Sequence, residues 1–208
     1  MKNKRSLGIC LGASTITAVE LDVSHDNPKV IRFEQLSHEG DPKAKLADIL
    51  TRFSLKDTYV ALTGRKFRLI TRLPSITEPE ATEIAYHYVM KKEGNRHYDA
   101  IVSAGGETFI VYGLDQKGRI SSISSGNKCA SGTGEFFLQQ IRRMNLTIDE
   151  AIKYAKESKH PHNLSSRCSV FAKSDCTHAL NIGVPIPDVA AGLSRMMAKK
   201  VEELLVKL

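Results

Sequence analysis

Short apolar stretches, separated by glycine and polar turns, open the chain. Apolar residues recur every three or four positions within residues 43–53, which predicts an amphipathic helix. Around it the β-branched and apolar runs predict strands at Leu7–Leu11, Thr15–Val23, Val30–Phe33 and Tyr59–Leu62. Three strands, a helix and a strand in this order are typical of an α/β lobe.

A second strand-rich section follows a helix that is marked at both ends. Thr77 and Glu80 have capping-box spacing at its start, and Gly94 ends it. The remaining pattern predicts strands at Asp99–Ala104, Thr108–Leu114 and Ile120–Ser124, then helices that start near Gly132, after Thr147, after Cys168 and near Pro187. We therefore expect two lobes, residues 1–95 and 96–208.

Two stretches of the sequence repeat each other without a gap. "CLGASTITAVELD" begins at Cys10 and "SAGGETFIVYGLD" begins at Ser103, so Gly12 aligns with Gly105. One interpretation is a chance similarity between two hairpins. The other is a duplicated β-β-β-α unit, with both glycine turns facing one cleft, where backbone N–H groups are suited to phosphate.

Composition and charge exclude several classes of function. Hydrophobic residues make up 41% and charged residues 25%, as in a globular cytoplasmic protein, and no apolar run approaches the roughly 20 residues of a membrane helix. The net charge is +7, but Lys and Arg are scattered, which indicates a solvated surface and no nucleic-acid partner. The four cysteines form no C-x-x-C pair, so a zinc ribbon or a thioredoxin-type site is not expected.

The glycine hairpins, "NKCASGTGEF" from Asn127 and "CSVFAKSDCTHALNIGVPIPDVAAGL" from Cys168 together resemble a known family. They resemble the ATP-dependent activators of 2-hydroxyacyl-CoA dehydratases and the ATPase subunits of benzoyl-CoA reductases. This resemblance implies an α/β, actin/Hsp70/sugar-kinase-like fold with two RNase H-like lobes, the second incomplete at the C-terminus. It also implies a homodimer that holds one [4Fe–4S] cluster, in which ATP hydrolysis drives one electron into a dehydratase or acyl-CoA reductase-type partner.

By this resemblance, Cys129 and Cys168 are the cluster ligands, and each subunit supplies two thiolates. Both lie near the start of a predicted helix, where the positive end of the helix dipole stabilises a thiolate and an anionic cluster. The alternative is that both are buried as small apolar residues, which is the commonest fate of a free cysteine. Cys176, two helical turns after Cys168, is expected in the core or on the surface.

The expected nucleotide site departs from the family pattern. Cys10 and Ser103 replace the two aspartates of the glycine hairpins, and Thr17 and Ile110 replace lysines. By resemblance the phosphates would lie against Gly12, Ala13, Ser14, Gly105, Gly106, Gly132 and Gly134. Since a carboxylate normally positions Mg²⁺ here, we expect ATP hydrolysis to be weakened or lost, unless Glu107 or Asp99 substitutes. No catalytic residue is assigned, and whether the chain is an enzyme stays open.

Two functions follow from these residues. The first is an activator or electron-transfer domain for a 2-hydroxyacyl-CoA dehydratase-type system. The second is a non-catalytic scaffold with the same fold and vestigial cysteines. A small-molecule kinase is less expected, because neither hairpin supplies the catalytic carboxylate. Relatives continue past the last helix into a glycine-rich adenosine-binding segment, so we expect an excerpt of a longer protein, with a second activator-like domain in the same polypeptide.

Overall fold

The computed structural model describes residues 4–64, 71–94, 96–126, 133–165 and 168–208. Its chain divides into two compact units, residues 1–96 and 97–208. The predicted mixed α/β character is confirmed in both of them.

A four-stranded sheet forms the first unit. Its elements are β1 (Arg5–Leu11), β2 (Thr15–Asp22), β3 (Lys29–Ser37), α1 (Pro42–Arg52), β4 (Thr58–Thr63) and α2 (Glu78–Lys92). The strand order is β3-β2-β1-β4, with β1 and β4 parallel and the other pairs antiparallel. This places the end of β1, and the glycine turn that follows it, in the middle of the sheet.

The core of the first unit follows from alternation along β1. Leu7, Ile9 and Leu11 are buried on one face, because successive side chains of a strand point to opposite faces. Helix α1 covers that face with Leu46 and Ile49. Residues 8 and 10 therefore belong to the other face of the sheet.

Local capping explains where the helices of this unit begin. The carboxylate of Asp41 accepts a hydrogen bond from the Ala44 N–H at 3.0 Å, and α1 starts directly after it. The hydroxyl of Thr77 accepts from the Glu80 N–H at 3.4 Å at the start of α2. The predicted start of α2 is therefore confirmed, and it brings Glu78 into the first turn of that helix.

The second unit combines a three-stranded sheet with four helices. Its elements are β5 (Ala100–Ala104), β6 (Phe109–Leu114), β7 (Ile120–Ser125), α3 (Gly134–Arg143), α4 (Ile148–Glu157), α5 (Ser169–Asn181) and α6 (Ile186–Leu205). The strands are antiparallel in the order β5-β6-β7, which repeats the arrangement of β1, β2 and β3. The second aligned segment therefore forms the same strand-turn-strand motif as the first.

Helix α6 organises the core of the second unit. It buries three apolar side chains among those of α3, α4 and α5, namely Val189, Leu193 and Met196. Further along the same helix, Leu204 packs against Phe109 and Val111 of β6. Because α6 touches both the helical layer and the sheet, it links the two parts of the unit.

Strand β3 is longer than its apolar run predicts. The predicted Val30–Phe33 extends in the structure to Ser37, because β3 pairs with β2 as far as Thr15 opposite Ser37. Backbone pairing to a neighbouring strand does not require apolar side chains. The partner strand, and not the hydrophobicity of β3, therefore sets its length.

Candidate functional site

Both glycine hairpins close with the same backbone contact. The Gly12 N–H donates to the Thr15 carbonyl at 2.9 Å, and the Gly105 N–H donates to the Thr108 carbonyl at 3.1 Å. A Cβ atom would lie 2.8 Å from the Thr15 carbonyl oxygen at position 12, and 3.0 Å from that of Thr108 at position 105. Glycine therefore stands at both turns because the chain returns too closely for a side chain.

The first turn exposes its tip to solvent. Ala13 is exposed and Ser14 is partly exposed, while the Ser14 carbonyl accepts a hydrogen bond from the His38 N–H at 3.1 Å. This contact ties the turn to the end of β3. The three residues expected to hold phosphate in the first unit thus lie together in one fixed turn.

In the second unit, helix α3 begins directly on the glycine turn. The Gly134 N–H donates to the Gly105 carbonyl at 3.1 Å, and the Glu135 N–H donates to the Gly106 carbonyl at 3.0 Å. The structure therefore brings Gly105, Gly106 and Gly134 together, as the phosphate-site hypothesis requires. However, these contacts use two N–H groups that usually remain open at a helix start. Gly132 lies outside the described residues.

Cys10, at the position of the expected aspartate, does not replace a carboxylate electrostatically. It pairs with Thr17 of β2 and Thr63 of β4, on the sheet face opposite the core. Part of the side chain reaches solvent, yet desolvation, followed by the negative charge of Glu78, raises the pKa of the Cys10 thiol. The thiol is therefore neutral near pH 7 and offers Mg²⁺ no charge.

Glu78 is a carboxylate near Cys10 that the sequence analysis did not predict there. It is the first residue of α2, and its charge acts on Cys10 although 68 positions separate the two. The capping signal at Thr77 locates the helix start but not its neighbour in space. Glu78 is therefore a further carboxylate beside the first glycine hairpin.

The two carboxylates proposed as substitutes lie in different places. Glu107 lies within the second glycine turn, between Gly106 and Thr108, and is exposed. Asp99 precedes β5, at the end of that strand opposite the turn, and its exposed carboxylate lies 3.7 Å from the His97 ring. Asp99 therefore does not lie beside the second glycine turn, because the length of β5 separates them.

Cys168 occupies the N-cap of helix α5. Its sulfur accepts a hydrogen bond from the Val170 N–H at 3.4 Å, and its carbonyl accepts the helical bond from Ala172 at 3.0 Å. The residue is partly exposed. The sulfur of Cys168 therefore lies at the helix N-terminus with a backbone N–H directed at it.

The neighbouring cysteine of the same helix has the opposite character. Cys176 is buried in the helical core of the second unit. Desolvation and the nearby Asp175 raise the pKa of its thiol to about 11, against a smaller opposing effect of Arg143. Cys176 is therefore a protonated packing residue, whereas Cys168 is presented towards solvent.

The other predicted cluster ligand, Cys129, lies outside the described residues. Within residues 4–64, 71–94, 96–126, 133–165 and 168–208, no three His, Cys, Asp or Glu side chains are grouped so as to hold a metal ion. The same ranges contain no helix that is long and apolar enough to cross a membrane.

Comparison with known proteins identifies the family. Residues 43–208 match the model of the BadF/BadG/BcrA/BcrD ATPase family, so the chain belongs to this family. The resemblance inferred from the cysteine and glycine motifs is thereby confirmed.

Individual relatives agree with this assignment. The chain is 31% identical over 108 residues to the 2-hydroxyisocaproyl-CoA dehydratase activator of Clostridioides difficile. This alignment covers 52% of this chain and 41% of that protein. It is 29% identical over 150 residues to the uncharacterized protein YjiL of Escherichia coli, covering 72% of this chain and 57% of that protein. The matches thus span about half the length of these curated relatives.

A solved structure supports the fold. The activator of the 2-hydroxyisocaproyl-CoA dehydratase from Clostridium difficile, with bound ADPNP, superposes with a TM-score of 0.83 at 22% identity. The superposition covers 98% of this chain and 75% of that one. The predicted fold class, that of the activator ATPases, is therefore confirmed.

Proposed function

We propose that this chain is an electron-transfer activator domain of a 2-hydroxyacyl-CoA dehydratase-type system, with ATP hydrolysis weakened or lost. Two copies would hold one [4Fe–4S] cluster between them, with Cys129 and Cys168 of each copy as ligands. The observation that carries the proposal is the placement of Cys168, partly exposed at the N-cap of α5 with a backbone donor on its sulfur.

The donor chemistry of Cys168 fits an iron–sulfur cluster. Iron in such clusters is held by thiolates, and hydrogen bonds to the sulfur together with a helix dipole stabilise that negative charge. Cys176, with its raised thiol pKa and buried position, does not fit. Cys129 is proposed as the second ligand from the resemblance of its motif to that of the family.

Two thiolates per chain imply a second copy. A cubane cluster needs four thiolates, so a twofold axis that relates two Cys129/Cys168 pairs would complete the set. When bound, the cluster supplies a single electron at low potential. The chain would contribute the thiolates and the helix N-terminus at Cys168.

The nucleotide part of the proposal depends on the two matched turns. Gly12 and Gly105 form the same tight turn, which is the kind of backbone that lies against phosphates, and the solved activator was captured with ADPNP. The neutral thiol of Cys10 stands where a carboxylate is expected. We therefore propose that the turns retain phosphate binding, while the weak metal site slows hydrolysis.

Dehydratase or reductase partners are proposed from relatives. The matched proteins include an activator of lactoyl-CoA dehydratase and a benzoyl-CoA reductase subunit. By this similarity the partner of this chain would be an acyl-CoA dehydratase or reductase that receives the electron.

Anaerobic reconstitution tests the proposal. The chain is treated with iron and sulfide, and iron, sulfide and the electron paramagnetic resonance spectrum after reduction are measured. We expect a brown protein with one cluster per two chains, and loss of the cluster in Cys129→Ser and Cys168→Ser. Cys176→Ser is the matched control on the same helix and should keep it, because its thiol is buried and protonated.

The alternative of a non-catalytic scaffold makes the opposite prediction. A wild-type chain that stays colourless after reconstitution, with all three variants behaving alike, would refute the electron-transfer function. A cluster that survives Cys168→Ser but not Cys176→Ser would refute the ligand assignment.

A further inference from the structure

The two sheets differ at one edge. In the first unit, β1 lies between β2 and β4, because β4 pairs with β1 in the parallel direction. Strand β5 is the equivalent of β1, since Gly12 after β1 aligns with Gly105 after β5 and each strand pairs with the one that follows it. Within residues 4–64, 71–94, 96–126, 133–165 and 168–208, however, no strand pairs with the other edge of β5. The second sheet therefore has an open edge where the first has β4.

The exposure of equivalent side chains shows the same difference. Ile9 of β1 lies opposite Leu62 of β4 and is 1% exposed, whereas Val102, which aligns with Ile9 in the repeat, is 43% exposed. Val102 shares its sheet face with Val111 of β6, which is fully buried against Leu204 of α6. The core on this face therefore ends at β6, and a strand beside β5 would extend it.

The backbone of β5 directs alternate residues to the open edge. The Leu114 N–H donates to the Asp99 carbonyl at 2.8 Å, and the Gly105 N–H donates to the Thr108 carbonyl at 3.1 Å. Because hydrogen-bonded and non-hydrogen-bonded pairs alternate along an antiparallel ladder, residues 101 and 103 also bond to β6. The residues that present their N–H and C=O groups to the open edge are therefore Ala100, Val102 and Ala104.

Strand β5 lacks the features that keep an edge strand from pairing. Edge strands are commonly protected by charged side chains, proline or a β-bulge. The edge strand β3 carries Lys29, Arg32 and Glu34, and its pairing with β2 contains a register shift. Strand β5 has the uncharged sequence Ala-Ile-Val-Ser-Ala and pairs with β6 without a shift. Such an edge is suited to accept a further strand.

We propose that the open edge of β5 binds a polypeptide strand from outside residues 1–208, parallel to β5. The direction follows from β4, which runs parallel to β1 at the equivalent edge. Strand β4 directs Val60 and Leu62 towards the core of the first unit, so the bound strand would carry apolar side chains at alternate positions, one of them opposite Val102. Backbone hydrogen bonds would supply affinity and these side chains would supply selectivity. This inference is independent of the proposed cluster.

A synthetic peptide with the sequence of residues 57–64, which contains β4, is the probe. The labelled peptide is titrated up to millimolar concentration against the full chain, and binding is followed by fluorescence anisotropy. We expect saturable binding. We also expect slower amide hydrogen exchange at Ala100, Val102 and Ala104, whereas Ile101 and Ser103 should change little because they already bond to β6.

A proline in β5 tests the outward backbone groups. Val102→Pro removes an N–H that faces the open edge, and proline is tolerated at such a position of an edge strand. We expect the variant to keep its circular dichroism spectrum and to bind the peptide at least about tenfold more weakly. Ile123→Ser is the matched control, because it removes an exposed apolar side chain of the same sheet away from this edge, and it should bind as wild type does.

Two methylated peptides repeat the test without any change to the protein. In β4 the Leu62 N–H donates to the Pro74 carbonyl at 2.8 Å, so it faces away from β1, and the N–H groups of Ala61 and Thr63 face towards β1. A methyl group on the peptide nitrogen of Thr63 should therefore abolish binding, and one on the nitrogen of Leu62 should not. This comparison decides the question even if Val102→Pro does not fold.

Three results would overturn the proposal. The first is an absence of saturable binding to the wild-type chain. The second is equal binding of the two methylated peptides. The third is dimerisation of the chain without peptide, with slower exchange at Ala100, Val102 and Ala104, because a second copy would then occupy the edge.

Discussion

Alanine at position 12 should destabilise the first unit, and alanine at position 8 should not. Both glycines belong to the β1 region, but their surroundings differ. A Cβ atom at position 12 would lie 2.8 Å from the Thr15 carbonyl oxygen, whereas ordinary contacts are 3.4–4 Å. A Cβ atom at position 8 meets nothing within 4 Å.

The size of the difference follows from what can move. The Thr15 carbonyl accepts the Gly12 N–H, and Thr15 pairs with Ser37 of β3, so neither side of the contact yields without loss of a hydrogen bond. Forcing an extra carbon into such a site costs about 1–3 kcal/mol. At position 8, alanine removes the entropic penalty of a strand glycine, which is about 0.5–1 kcal/mol in favour of the variant. We therefore expect the two variants to differ by about 1.5–4 kcal/mol.

Thermal unfolding followed by circular dichroism measures this difference. At about 2–4 °C per kcal/mol for a chain of this length, Gly12→Ala should melt below wild type and at least about 3 °C below Gly8→Ala. Urea unfolding of the same proteins gives the free energy independently. If Gly12→Ala is as stable as Gly8→Ala, the tight contact at the turn, and the equivalent one at Gly105, does not constrain the hairpins.

Two further predictions concern the second unit. Leu193→Ala should lower the free energy of unfolding by about 2–5 kcal/mol, because the Leu193 side chain is 0% exposed in the helical core. Val206→Ala, at a residue that is 83% exposed, should change it by less than about 0.5 kcal/mol. Urea unfolding measures both values, and equal effects would contradict the assigned core. Hydrogen bonds from Arg119, first from its backbone N–H and then from its side chain, hold the pKa of Asp115 at about 2, below its ordinary 3.8. The ionised carboxylate therefore stabilises the folded state above pH 3.8, and this contribution is lost as the pH falls towards 2. Asp115→Asn should therefore lower the urea midpoint near neutral pH and converge with wild type in acid, and a difference that is the same at both pH values would contradict this assignment.

Much of the fold was predictable because its signals are local. The capping residues Thr77 and Thr147 mark helix starts that the structure reproduces, and Thr147 forms the full reciprocal capping box with Glu150. The glycine repeat also needed no tertiary information, since Gly12 and Gly105 make turns that involve only the next three residues. Where the extent of an element depends on another segment, as it does for β3 and its partner strand β2, the predicted strand was too short.

The candidate site was predictable in its residue types but not in its environment. The sequence singled out Cys168 by its motif, yet Cys168 and Cys176 belong to the same segment and only packing separates an N-cap residue from a core residue. Asp99 seemed close to the second turn by sequence, but the extended strand β5 carries it to the far end. Sequence distance is a poor guide along a strand, because each residue adds about 3.3 Å.

The sequence by itself determined the order of the strands and helices, the two glycine turns and the family, because each depends on neighbours within a few positions or on a continuous motif. Only the tertiary structure decided that Glu78 acts on Cys10, 68 positions away, and that Cys168 caps α5 while Cys176 lies in the core. These environments arise because separate elements fold against each other. Electrostatic effects depend on distance in space and on exclusion of water, and neither quantity is written in the order of the residues.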